Sequence, residues 1–279
     1  MELFTPLSMS TLEGYMLLRE RIFKLVKQIP KGGFLSYFEV AKRAGNKKAA
    51  RVVGNLMKKN YNKQIPCHRV IKNNQEVGGY KGSTQNSYLK VGLLLKEGAV
   101  GVIPTDTLYG ICGNALNKET VERIYKLRRR NPKKPMIILI SSLKDLKKFQ
   151  IKLNNFQERI LNKLWPGKIS VVLSCHNKKF FYLHRGVKTL AFRMPKNKEL
   201  LEILKISGPL VSPSANFEGE NPALTIREAK KYFKNKVFYY NKGKLVSKPS
   251  TLIDLTSKKI KILRKGPELK KVLVVLNKN

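Results

Sequence analysis

Cys67 is followed directly by His68 in the run Pro66-Cys67-His68-Arg69-Val70. A thiol at its ordinary pKa is mostly protonated at neutral pH and becomes a nucleophile only beside a base or in a positive field. The neighbouring imidazole offers such a base, although adjacency alone is equally what a buried filler cysteine would show. A second set of groups lies further on. Thr105-Asp106-Thr107 forms a polar loop after the strand-like run Val100-Gly101-Val102-Ile103. Arg128-Arg129-Arg130, Lys134, Arg193, Ser212-Pro213-Ser214-Ala215-Asn216 and Arg264 then recur between strand-like and helical stretches. Guanidinium and hydroxyl groups converging at strand ends can hold several negative charges at once. A solvated basic face is the plainer reading of the triple arginine.

The elements that must position these groups fall into two kinds. Thr11 to Gln28 has Leu17, Leu18, Ile22 and Val26 at helical spacing, which predicts one buried stripe. Pro30-Lys31-Gly32-Gly33 breaks it, and Tyr37 to Arg43 and Ala49 to Lys59 read as two short helices around Gly45-Asn46, a helix-turn-helix pattern. Beyond Gly98 the character changes. Strand-like runs at Val100–Ile103, Met136–Ile140, Ser170–Leu173 and Leu190–Phe192 alternate with helical stretches at Glu119–Arg128, Leu143–Phe149 and Arg227–Phe233, which argues an α/β domain. The expected domains are 1–98 and 99–279, with Tyr88 to Lys96 as an amphipathic stretch leading straight into the second.

The 279 residues carry a formal charge of +39, and both halves are basic. Such a field favours a polyanionic partner such as nucleic acid; a lysine-rich composition that coats any surface would produce the same excess. No apolar run is long enough to cross a bilayer, so no membrane partner is expected. Met1 to Ser10 lacks a basic region followed by an apolar stretch, so no secretory leader is expected. Cys67, Cys112 and Cys175 are too far apart in sequence for a disulfide framework or a metal-ligand spacing. A cytoplasmic location and no zinc are the expectations.

The first half resembles the C-terminal domain of the guanine alkyltransferases, suicide DNA-repair proteins. The likeness rests on Ile29-Pro30-Lys31-Gly32, Ser36-Tyr37, Ala49-Ala50-Arg51-Val52-Val53-Gly54, Asn60, Pro66 to Val70, Gly78-Gly79-Tyr80 and Leu93 to Gly98, in that order. It implies a mainly α, winged-helix-like fold acting on double-stranded DNA. By that resemblance Cys67 accepts the alkyl group, His68 is its base through a water, and Glu97 orients the imidazole, as the third member of a triad does. Arg51 fills the gap left by a flipped base, Tyr37 presses on the phosphate, and Asn60 and Tyr80 hold the active-site turn and the guanine. Flipping is needed because the alkylated oxygen is inaccessible within the stack. The run from Tyr80 to Glu97 is longer than usual for the family.

The second half, from about 99 to 268, resembles the YrdC family of threonylcarbamoyl-AMP synthases. Seven separated motifs carry the likeness: Pro104 to Gly110, Arg128 to Pro135, Trp165-Pro166-Gly167, Ala191 to Pro195, Ser212 to Asn216, Ser250-Thr251 and Leu263 to Gly266. It implies a twisted mixed sheet and a reaction joining L-threonine and bicarbonate and transferring AMP from ATP, with Mg2+ accompanying the nucleotide. The implied ATP contacts are Arg128, Arg130, Lys134, Thr189, Ser214, Asn216 and Arg264. The implied threonine contacts are Thr107, Leu139, Arg193 and Ser212. The family has Lys-x-Arg where ungapped alignment places Arg128-x-Arg130, and the two cations are not interchangeable at a tight phosphate site. The combined expectation is a bifunctional enzyme, possible partners being tRNA or double-stranded RNA and the transferase proteins that modify tRNA. The alternative is a synthase whose first half only binds nucleic acid.

Overall fold

The computed structural model describes residues 11–257 and 259–277; Met1 to Ser10, read above for a leader, lie outside the described residues. Helix α1 (Leu12–Gln28) starts where the Thr11 hydroxyl accepts from the Gly14 amide, and it buries Leu18, Ile22, Leu25 and Val26. Leu17 is 40% exposed rather than part of the stripe; Leu25 completes the 18, 22, 25 spacing instead. A short strand β1 (Leu35–Ser36) leads into α2 (Tyr37–Arg43), opened by a capping box between Ser36 and Glu39. Helix α3 (Ala50–Lys59) follows, and β1 pairs in parallel with β2 (Val70–Ile71). Val40, Ala41, Val53 and Cys67 share one core with α1.

Helix α4 (Ser87–Lys96) ends at Glu97, and Gly98 turns the chain with φ +96° into β3 (Gly101–Pro104). That positive φ is where glycine is favoured. The rest alternates: β4 (Tyr109–Asn114), α5 (Lys118–Arg128), β5 (Ile137–Leu139), α6 (Asn155–Leu164), β6 (Ile169–Ser174), α7 (Phe181–His184), β7 (Thr189–Arg193), α8 (Lys198–Ser207), β8 (Leu210–Val211), α9 (Ile226–Phe233), β9 (Phe238–Tyr239), β10 (Thr251–Asp254), β11 (Lys261–Arg264) and α10 (Leu269–Asn277). The nine strands β3 to β11 form one mixed sheet in the order β11-β10-β6-β7-β5-β8-β4-β3-β9. Leu143–Phe149, expected as an α-helix, is a 3-10 segment opened by Ser142 and Asp145.

Two features join the halves. Val91, Leu94 and Leu95 of α4 are buried in a core that also holds Ile71, Ile103, Leu200, Ile203 and Leu204. The approach of α4 to α8 is so close that a Cβ at Gly92 would stand 2.8 Å from Ile206 Cβ. Glu76 and Val77 also extend the edge of the large sheet. The Val77 amide donates to Tyr239 O at 2.8 Å, and the Tyr239 amide donates to Gln75 O at 2.9 Å. An ion pair, Lys230 Nζ to Glu76 Oε1 at 2.8 Å, closes the seam. Helix α4 thus packs into one core with α8 that Ile71 and Val77 of the first half also join; Leu94 and Leu95 are buried there, and Leu93 is half-buried on the side of Cys67.

Candidate functional site

Pro66 caps a single 3-10 turn, Cys67–Arg69, which presents three side chains from three consecutive positions. The Cys67 thiol is buried, and its sulfur accepts from Asn60 Nδ2 at 3.0 Å. The same Asn60 amide donates to Asn62 O at 3.0 Å, so one side chain at the end of α3 staples the loop to the thiol. His68 Nε2 lies 2.9 Å from Glu97 Oε2. Arg69 grips Glu97 with both arms, Nε to Oε2 and Nη2 to Oε1, each at 2.8 Å. Such a fork-to-carboxylate pair is geometrically rigid. The structure pairs His68 with Glu97, one residue from Cys67 in the same turn, and adds Arg69, whose role was not read from its motif.

Burial pushes the Cys67 thiol up, against the Asn60 hydrogen bond and the charges of Lys90 and Lys81. Burial pushes His68 down from the usual imidazole value, more than the Glu97 contacts raise it. Burial alone would raise Glu97, but the hydrogen bonds from Arg69 and His68 outweigh it and hold the carboxyl low. At neutral pH the site is a thiol beside a neutral imidazole beside a carboxylate. Nε2 is the ring nitrogen that faces Glu97, which leaves Nδ1 as the acceptor of the neutral ring.

A cleft of about 220 Å³ opens at Cys67, lined by Tyr37, Gly54, Met57, Tyr80 and Lys90 among others. Arg51, near the start of α3, is exposed. Lys90 is missed by the sequence reading. It is buried on α4, donates to Val70 O and sits 5.7 Å from the Tyr37 ring centre. Its separation of seven residues from Glu97 is two helical turns, a signal that could have found it. Burial pushes its ammonium down to about 8. Lys90→Met should slow alkylation of Cys67 by a small haloacetamide about ten-fold, a charge term of order 1.4 kcal/mol. A lysine whose folded pKa lies below its unfolded value releases its proton first in the folded state. The parent therefore gains stability as pH rises from about 8 towards 10.5. Urea titrations at neutral and alkaline pH should show that gain in the parent and not in the variant.

The second site is a cleft of about 320 Å³ over the large sheet. Thr107 comes from the loop after β3, Arg128 and Arg130 from the end of α5, Arg193 from the end of β7, Ser212 and Ser214 from the segment after β8, and Arg264 from β11. Those seven expected residues line one cavity. Four others stand elsewhere. Asn216 lies behind, its carbonyl and Oδ1 accepting from Arg128 Nε and Nη2 at 3.0 and 3.2 Å. Lys134 is exposed and pairs with Glu218 at 3.2 Å. Thr189 begins β7, opposite Ser174. Leu139 shares register with Arg193, but its side chain is buried in the core with Cys112 and Leu210.

Arg193 is buried, and its Nη2 lies 3.1 Å from the equally buried Asp106 Oδ1. Burial lowers the guanidinium, and Asp106 works against that. Arg128, also buried, is pushed down to about 10 by burial and by its neighbour Arg130. Arg128 Nη1 and Arg193 Nε are buried donors without a protein acceptor, the kind of group a bound anion satisfies. Arg264 is oriented by Ser250, with Nε to its carbonyl at 2.9 Å and Nη2 to its hydroxyl at 3.1 Å. The lining residues include no carboxylate, and among the described residues no cluster of three or more His, Cys, Asp or Glu fits a metal. Cys112 is buried and pushed up to about 12, its sulfur 3.1 Å from Ser212 Oγ. No helix among the described residues is long and apolar enough to cross a membrane.

Comparison with known proteins matches both parts. Residues 18–99 match the profile described as 6-O-methylguanine DNA methyltransferase, DNA binding domain. Residues 93–266 match the Sua5/YciO/YrdC profile, described as telomere recombination. The two matches overlap on α4. Threonylcarbamoyl-AMP synthase of Pyrococcus abyssi is 30% identical over 186 residues, 64% of this chain and 55% of that protein. The Bacillus subtilis protein of the same name is 31% identical over 129 residues, 46% of this chain and 37% of that one. The chain thus spans about half or less of these relatives. The crystal structure of P. abyssi Sua5 complexed with L-threonine superposes with TM-score 0.63 at 28% identity, covering 68% of this chain and 58% of that one. With the profile matched over 93–266 and the mixed sheet in common, the chain belongs to the Sua5/YciO/YrdC family, and the segment ahead of it, 18–99, matches the 6-O-methylguanine DNA methyltransferase DNA-binding domain profile.

Proposed function

We propose that the chain carries out two reactions, with 1–98 as an alkyl-accepting DNA-repair domain and 99–279 as a threonylcarbamoyl-AMP synthase. For the synthase, the supporting observation is a carboxylate-free cleft on which Arg128, Arg130, Arg193 and Arg264 converge with Ser212 and Ser214. Arg193 pairs with the threonine carboxylate, while Thr107 and Ser212 hold its polar groups. Arg128, Arg130, Ser214 and Arg264 hold the triphosphate, with Asn216 positioning Arg128. The threonine amine and bicarbonate give a carbamate and water; a carbamate oxygen then bonds to the α-phosphorus of ATP as the bond to the β-phosphate oxygen breaks, releasing pyrophosphate. The cationic wall stabilises the charge that builds there. With ATP, magnesium, threonine and bicarbonate, pyrophosphate should appear only when threonine is present; release indifferent to threonine refutes the assignment. The product then goes to tRNA-modifying transferase proteins, and the basic surface offers a place for tRNA.

For the first half, the supporting observation is the chain of contacts from Asn60 to Cys67 and from His68 to Glu97. His68 takes the thiol proton through a water, Sγ bonds to the alkyl carbon, and the carbon–O6 bond breaks with its electron pair passing to guanine, which takes up a proton. Helices α2 and α3 act as a helix-turn-helix on duplex DNA, in a winged-helix-like arrangement, with Tyr37 against the phosphate and Tyr80 on the flipped guanine. An intact-mass measurement after incubation with methylated duplex should find one added methyl, on the Cys67 peptide. An unmodified protein would leave the alternative, a synthase with a non-catalytic nucleic-acid module. On this reading Arg51 fills the gap in the stack, which offsets part of the few kcal/mol of unstacking. Arg51→Ala should therefore slow repair in duplex more than in single strands, and equal losses would count against gap-filling.

A further inference from the structure

Between the 3-10 segment Leu143–Phe149 and the first turn of α6 lies an open groove of about 760 Å³, more than twice the volume of the cleft over the large sheet. It shares no lining residue with that cleft or with the one at Cys67. The backbone builds it. The 3-10 segment ends at Gln150, in the left-handed region at φ +57°, and the chain doubles back there. The Gln150 amide donates to Lys147 O at 3.0 Å and the Ile151 amide to Leu146 O at 3.2 Å, which sets residues 151–153 beside the segment they leave. The Gln150 side chain accepts from Asn177 Nδ2, and that bond pins the bend to the body of the domain.

The floor is apolar and the rim is basic. Leu146 and Ile151 are buried, and Leu153 is half-buried. Lys144, Lys147 and Lys152 are exposed along the lining, against one carboxylate, Glu158. Asp145, on the same segment, turns away from it. Its Oδ2 accepts from the Ser141 amide at 2.8 Å and hydroxyl at 2.7 Å, and its Oδ1 holds Lys148 at 2.7 Å.

The class of occupant follows from this arrangement. Among the described residues, the buried polar groups left without a hydrogen-bond partner include none from the groove. A small ligand is oriented by a few inward polar groups; here every charge stands at the rim. A nucleic-acid backbone needs cations but gains nothing from an apolar floor. An amphipathic helix uses both, with apolar side chains at i, i+3, i+4 and i+7 on the floor and charged flanks at the rim. Three cations against one carboxylate call for acidic flanks, and the chain's charge of +39 attracts an acidic partner and repels a second copy.

We propose that this groove docks an acidic amphipathic helix of a partner protein, with its apolar stripe on Leu146, Ile151 and Leu153 and its carboxylates against Lys144, Lys147 and Lys152. The inference stands apart from both proposed reactions.

The test uses the full chain and three fluorescent peptides of about 18 residues, five helical turns. The first has leucines at helical spacing and glutamates between them. The second has the same composition with the leucines scattered, and the third has lysines in place of the glutamates. By fluorescence anisotropy the first should bind about ten-fold or more tighter than either of the others, and added salt should weaken it. Lys144→Glu with Lys147→Glu, and separately Leu153→Asp, should each lower that affinity about ten-fold. These changes lie at the surface, so the melting temperature should hold; if Leu153→Asp unfolds, the lysine pair still decides. Equal binding of the scattered peptide reduces the surface to bare charge and overturns the proposal. So does a first peptide that fails to bind, or that binds the lysine pair variant as well as the parent. A duplex RNA whose affinity falls in the lysine pair variant, while the first peptide's does not, assigns the lysines to nucleic acid and also overturns it.

Discussion

Arg193→Ala should raise the threonine requirement of the synthase reaction by about 10- to 100-fold, because a charge-assisted pair with the substrate carboxylate contributes about 1.5–3 kcal/mol. The same substitution should destabilise the fold by about 3–5 kcal/mol, since it leaves Asp106 as an uncompensated buried carboxylate. The two effects can be separated. Burial already raises the Asp106 carboxyl, with Arg193 opposing the rise; without Arg193 it rises further. A carboxyl whose folded pKa lies above its unfolded value favours folding at low pH and weakens it as pH climbs through that window. The variant should therefore regain stability on mild acidification. Arg193→Ala combined with Asp106→Asn should melt near the parent and still require excess threonine. A single variant with unchanged melting and unchanged threonine dependence would remove Arg193 from the substrate site.

Cys67→Ser should abolish covalent uptake of the alkyl group, a loss larger than any other substitution in the first half would produce. A serine hydroxyl can still accept from Asn60, so folding and affinity for alkylated duplex should be retained. The parent itself should stop after one equivalent, because a thioether has no low-energy route back to a thiol. Its rate should fall on acidification only below the ordinary imidazole value, since His68 stays neutral to lower pH. Mass spectrometry of parent and variant beside a duplex-binding titration checks these points; an alkylated serine variant, or one that no longer binds, would contradict them.

The parts of this fold that could be read in advance are those with local chemical punctuation. Helices α2 and α3 announce themselves through the Ser36–Glu39 box and the Gly45-Asn46 break. The cysteine turn is legible because its chemistry is contiguous. The unread parts depend on tertiary partners. Strand β4 carries two glycines and a cysteine without alternation, and it is a strand because β3 and β8 flank it. Leu139, a threonine contact implied only by the family resemblance, has its side chain in the core with Cys112. Lys90 looks like one more surface lysine until α4 is buried on both sides. Helices α6 and α8 went unread although local caps at Asn154 and Asn197 open them.

The sharing of α4 also governs how the molecule can be cut. A fragment starting at Ala99 would strip the cover from Leu200, Ile203 and Leu204, and one stopping before Ser87 would lose Glu97 and Lys90. Any boundary within the helix leaves one piece with an open apolar face, the kind of surface that drives aggregation. Neither half is a portable module as the chain is written. A recombination event that moved one half into another gene would have to carry the helix with it, and would leave behind a partner in need of a substitute.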